Sequence, residues 1–228
     1  MRDTAPLQMQ SVDETGIRQY ANVMVEIKRR SRVIDHLMSG KNAAIYMPTT
    51  TETIGLQFRK TFELIAFASL AANKKLYATA YANFSKHWEA SKLIGNLRRL
   101  NPDFYPVPVT VTPDPAPNIK SEFTARKEGF LTATHLIQAH GRCGNLMHAA
   151  NPFSKTIDYE FYHQAFLEWY VLIIALLNFH QVRLPSEPCF WFIQMGDFST
   201  DDVSYNIFAP LTAAPDFPRS PDLTGKNR

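Results

Sequence analysis

Cysteine is scarce in this chain, with only Cys143 and Cys189 among 228 residues. Two cysteines cannot build a disulfide framework, and their scarcity points to a reducing compartment. An excess of one charge is also lacking. Lys and Arg total 24 against 21 Asp and Glu, and a net charge of +3 does not by itself advertise a nucleic-acid or membrane partner, so any basic patch has to be local. Long apolar runs are missing as well. The longest, Trp169 to Leu177, is about half of what spans a bilayer, and Met1 to Gln10 has no apolar core of the kind a signal peptide needs. A cytoplasmic protein without a membrane partner is the expectation. No glycine-rich phosphate loop, G-x-S-x-G elbow, H-E-x-x-H pair or internal repeat occurs, which leaves the nucleotide-cradle, hydrolase and zincin readings without a motif.

What is present is a chain that is 45% hydrophobic and 20% charged, enough to bury a core. Ile17, Tyr20, Met24, Ile27, Ile34 and Met38 recur at helical spacings and define one apolar stripe, closed by Gly40. Thr49 to Thr51 offer caps for a second helix in which Ile54, Leu56, Phe58, Phe62, Leu64, Ile65, Phe67 and Leu70 are apolar nearly all round, so it should be central. Tyr77 to Leu100 reads as a bent or broken helical stretch with Trp88, Leu93, Ile94 and Leu97 inward, stopped by Asn101-Pro102. After a proline-rich excursion over 101–120, helices are expected from Phe130 to Ala149, closed by Asn151-Pro152, and from Asp158 to about Gln181. The aromatics of that last helix, Tyr159 to Tyr170, read as core. Cys189 to Met195 and Val203 to Phe208 change to a period of two and read as a β-hairpin over 188–208. The expected organisation is a flexible 1–10, a single mainly α domain over 11–208 and a loose tail over 209–228.

The best functional candidate is the segment Gly141 to His148, where Arg142, Asn145 and His148 stand at three-residue steps. The chain here resembles the HEPN family (higher eukaryotes and prokaryotes nucleotide-binding domains), helical bundles whose ribonuclease members carry an Arg, four to six residues and then a His; Arg142 and His148 have five between them. The resemblance implies a HEPN-like bundle, here with a C-terminal β-hairpin. It also implies a metal-independent endoribonuclease of toxin or phage-defence type, with Arg142 and His148 catalytic and no cofactor. RNA would be the substrate, a homodimer would build one composite site, and a regulatory protein would be a partner. A non-catalytic protein- or nucleotide-binding module on the same bundle is the alternative.

The residues themselves constrain that role. On a regular helix, Arg142 and His148 lie about 120° apart, so they address one phosphate only if the helix bends or ends between them, with Asn145 placed to bridge or orient them. Arg59 and Glu63, one turn apart on the central helix with Glu52 two turns before, form a polar stripe that reads either as an internal ion pair or as support in which Glu63 orients His148. Lys28, Arg29, Arg30 and Arg32 form a basic cluster suited to phosphates or simply to solubility, and the Arg29-or-Arg30 match to His36 falls on the solvated side of its helix. His135, His140, Cys143 and His148 are crowded together, but their spacing fits no zinc module, and no metal is expected.

Overall fold

The computed structural model describes residues 14–40, 44–81, 89–117, 119–149, 153, 156–184 and 189–208. The expected flexible start, loose tail, Trp88 and Asn151-Pro152 lie outside the described residues. Among those described, six helices are followed or interrupted by five strands: α1 (Glu14–Met38), α2 (Met47–Ala72), α3 (Lys74–Ala80), α4 (Ala90–Leu100), β1 (Val107–Ala116), β2 (Ile119–Ala125), α5 (Ala133–Asn145), α6 (Tyr159–Leu177), β3 (Phe179–Arg183), β4 (Phe190–Gln194) and β5 (Ser204–Phe208). The chain is mainly helical, and no described helix is long and apolar enough to cross a membrane.

The α1 stripe packs as its spacing dictates. Ile17, Tyr20, Met24, Ile27 and Ile34 are all buried, and α1 lies along α2. Because α2 is apolar on several sides, it also contacts α4, α5 and α6 and forms the middle of the helical layer. There Phe58 stacks on Phe62 and Phe166, and Trp169 meets all three rings edge-on. Proline in its first turn starts α2 at Met47, ahead of the threonines. The Tyr77–Leu100 stretch is indeed divided, into α3 and α4 with residues 82–88 between them outside the described set.

The sheet corrects the expected architecture in two places. Residues 101–120 are not a mere excursion, because Val107–Ala116 and Ile119–Ala125 pair as an antiparallel hairpin. Past Pro108, β1 pairs with β2 alone, so Pro113 and Pro115 sit in a strand with one edge that has no ladder to lose. Asp114, at φ 46°, supplies the left-handed residue at the irregularity between Pro113 and Ala116. The second correction concerns α6, which stops at Leu177 instead of about Gln181. Phe179–Arg183 becomes a strand between β1 and β4, since alternation buries His180 and Val182 on one side while Phe179 and Gln181 face the other. The expected hairpin is present as β4 and β5, and it is one end of a five-stranded antiparallel sheet ordered β2-β1-β3-β4-β5.

One face of that sheet packs on the helices through a polar contact as well as apolar ones. His180 is fully buried, and its Nδ1–H donates to the Leu177 carbonyl at 2.8 Å, leaving Nε2 to accept from the Tyr20 hydroxyl at 2.8 Å. A carbonyl can only accept, which fixes the tautomer. The Tyr20 ring also meets Trp191 edge-on at 6.2 Å.

Candidate functional site

Thr132 caps α5 by accepting from the His135 amide at 3.2 Å, and Ala133, Leu136, Ala139, His140 and Cys143 form its buried side. That side is pressed closely against α2. A side chain at Gly55 would place Cβ 2.5 Å from Leu146 Cδ1, and one at Gly144 would place it 3.2 Å from an Arg59 guanidinium nitrogen. Two glycines therefore let the helices approach and seat Leu146, itself buried, in α2. The helix ends there. The Leu146 amide donates to Cys143, the Met147 amide donates to Gly144, and the chain turns away, so Ala133–Asn145 is shorter than the expected 130–149.

Arg142 lies in the last turn and is exposed, with its guanidinium carbon 4.7 Å from the centroid of the Phe161 ring on α6. The Tyr162 hydroxyl donates to the Arg142 carbonyl at 2.9 Å and also meets the Asn145 side chain, which ties the end of α5 to α6. Burial is the main cause that raises the Tyr162 hydroxyl above its usual range. Asn145 and His148 are exposed, with His148 just past the turn. Arg142 also borders a groove of about 210 Å³ between α5 and α6 with His135, Gln138, Phe161, Glu168 and Trp169, and His148 is not part of its lining. The sequence reading weighed His135 only as a metal ligand and did not group it with Arg142, although it stands seven residues before it, a spacing that puts both on one helical stripe.

The polar stripe of α2 faces α5, but its histidine is a different one. His140 Nε2 donates to Glu63 Oε1 at 3.0 Å, so Glu63 orients His140 rather than His148, and it pairs with Arg59 at 3.4 Å. The reason is geometric: His140 is on the buried side of α5, whereas His148 lies beyond its end. Arg59 and Glu63 keep about a quarter of their side-chain surface exposed, so the stripe is half-buried. Its guanidinium stands against the C-terminal end of α5, where the helix dipole favours a cation. Cys143 beside it is raised to about 12 by burial, against a smaller lowering by Arg59, and stays a thiol. Among the described residues, no group of three or more His, Cys, Asp or Glu is placed to hold a metal ion.

The basic cluster of α1 is engaged by the protein itself. Lys28 is buried and its Nζ donates to the carbonyls of Met195 (2.5 Å) and Asp202 (2.7 Å); burial lowers its pKa, and Asp202 partly offsets this. Arg29 and Arg32 both grip Asp201, and Arg32 also reaches the Ser199 carbonyl. Arg30 pairs with Glu26 at 2.6 Å and Gln57 at 2.8 Å. These four cations latch the β4–β5 loop onto α1 and α1 onto α2. None of the four stands ready as an unpaired phosphate ligand.

No family model, curated protein or solved structure matches the chain.

Proposed function

We propose that the protein is a HEPN-like, metal-independent endoribonuclease that works at the end of α5. The observation that supports this is the termination of α5 at Asn145, between Arg142 and His148. A continuous helix would keep the two side chains about 120° apart; a helix that stops and turns removes that constraint and leaves Arg142, Asn145 and His148 all exposed at one end. Tyr162 steadies this end through the Arg142 carbonyl and the Asn145 side chain.

In this reading, His148 removes the proton from a ribose 2′-hydroxyl, the 2′-oxygen attacks the adjacent phosphorus, and the bond to the 5′-oxygen breaks. The proton is returned to that departing oxygen, leaving a 2′,3′-cyclic phosphate. Arg142 stabilises the charge that builds on the phosphoryl oxygens. The nucleophile belongs to the RNA, so the route needs no metal-bound water, and DNA, lacking it, is not cut.

The test is incubation of the full chain with mixed RNA and with an all-deoxy analogue, with and without chelator, beside His148→Ala and Arg142→Ala. Chelator-resistant cleavage of RNA alone, abolished by either substitution, is expected. A requirement for a divalent ion, cleavage of the all-deoxy strand, or full activity in His148→Ala refutes it. A second reading, a non-catalytic binding module, is favoured by one observation: the groove that Arg142 borders contains His135 and not His148. RNA bound without cleavage, with affinity lost in Arg142→Ala and His135→Ala but not in His148→Ala, selects it.

A further inference from the structure

Strand β4 opens Phe190-Trp191-Phe192-Ile193, apolar at four successive positions before Gln194, whereas an antiparallel strand with one wet face alternates. Trp191 and Ile193 face the helices with His180 and Val182. The register places Phe179, Phe190, Phe192 and Phe208 on the opposite side. Phe123 of β2 joins them: its ring is 4.6 Å from Phe192, 5.9 Å from Phe179 and 6.1 Å from Phe208, while Phe190 stacks on Phe208 at 5.8 Å. Five phenylalanine rings thus form one contiguous layer on the outer face. Val109 and Val111 extend it around a cleft of about 590 Å³, and Val111, Phe123 and Phe208 remain about 40% exposed. We infer that this outer sheet face is the contact surface of a two-fold homodimer in which two copies pack sheet on sheet.

The occupant follows from the chemistry of the lining, which holds no Lys, Arg, Asp or Glu. A nucleic-acid strand needs cations along its phosphates, and the cleft supplies none. An aromatic centre free of charge, rimmed by Ser121, Asn178, Gln194 and Asn206, has the composition of a protein interface. Arg183, opposite Phe190 in the register, is an exposed charge at the end of this face, so a two-fold axis through the uncharged centre around Phe123 and Phe192 keeps the arginines of the two copies apart. Five strands about 4.8 Å apart and five to ten residues long cover roughly 500 Å² in plane, before side-chain relief, the scale of the ~800 Å² per partner of a stable interface. Rival exposed apolar surfaces are the stripe Leu167, Val171 and Ile174 on α6, which is narrow and carries no aromatic ring, and the single short segment Ile45, Tyr46 and Met47 at the start of α2. The HEPN resemblance already implies a homodimer; the surface inferred here follows from the sheet alone and does not rest on the ribonuclease reading.

Sedimentation velocity of the full chain from ~1 to ~100 µM is the test. A concentration-dependent dimer is expected, weakened at least about tenfold by Phe123→Asp and by Phe208→Asp and left intact by Val171→Asp. Both phenylalanines are half-exposed, and a melting curve confirms that each variant folds; Val111→Lys attacks the same face from a third position. A wild-type chain that stays monomeric to ~100 µM overturns the inference, as does a dimer that survives these substitutions in folded protein or one that is lost in Val171→Asp.

Discussion

Lowering the pH from 7 to 5 charges an exposed histidine at little cost, but His180 has no solvent to receive the charge. It is fully buried, and neither of its partners, the Leu177 carbonyl and the Tyr20 hydroxyl, is a carboxylate. Burial pushes its pKa down to about 4, against 6.5 in the unfolded chain. Between those two values the unfolded chain takes up a proton that the folded protein refuses. The His180 contribution to stability is therefore complete above about pH 6.5, falls as the pH drops toward 4, and changes no further below it. Between pH 7 and pH 5 the loss is about 2 kcal/mol, or roughly 4 to 8 °C in melting temperature for a chain of this size. Urea unfolding at pH 7, 6 and 5 measures it, with His180→Gln as the control, because an amide can accept from Tyr20 and donate to Leu177 but cannot titrate. Other groups contribute a pH slope to both proteins, so the decisive quantity is wild type minus variant. Parallel stability curves across this range would refute the argument and show that water reaches the imidazole.

Gly55→Ala should destabilise by about 1 to 3 kcal/mol because its Cβ collides with Leu146, and Gly55→Ala combined with Leu146→Ala should lose less than the sum of the two single variants in chemical denaturation. Lys28→Met removes both donors to the Met195 and Asp202 carbonyls and should cost about 2 to 3 kcal/mol; hydrogen exchange of residues 196–202 should speed up more than that of β3, and equal protection in both proteins would show that the loop holds without the lysine.

The helices were legible because their patterns are local. Five of the six residues proposed for the α1 stripe are buried, and the all-round apolarity of α2 gave its central place. The β4–β5 hairpin was legible for the same reason. Three of the five strands were not. Val107, Val109 and Val111 alternate as a strand should, but the interleaved prolines read as punctuation, and that segment is held as a strand by its hairpin neighbour β2 and by β3, which is distant in sequence. Phe179 to Arg183 follows an apolar helix without a break in composition, so the switch of period at Asn178 was hidden. Arg142 and Asn145 stand in the last turn of α5 and His148 just past it, near the helix end that the sequence suggested, whereas their spacing alone set Arg142 and His148 about 120° apart and left open where the helix stops. Pairings across the fold were beyond reach: which histidine Glu63 meets depends on how closely Gly55 and Gly144 let α2 and α5 approach. Lys28, Arg29 and Arg32 of the basic run could not reveal their acceptors, which lie about 170 residues away.

That distance has a temporal side. Tyr20 waits for His180, 160 residues later, and Lys28 waits for Asp202, 174 residues later. At about 5 to 20 residues per second of synthesis, α1 emerges roughly 10 to 30 s before the last of its partners exists. The α1–α2 pair can close early because its contacts are near in sequence, whereas β3 cannot be flanked on both sides until β4 has followed it. The nascent chain must therefore carry a helical half-product with an uncovered tyrosine and a buried-to-be ammonium still in water. The protein becomes one cooperative unit only when the β4–β5 loop arrives to receive them.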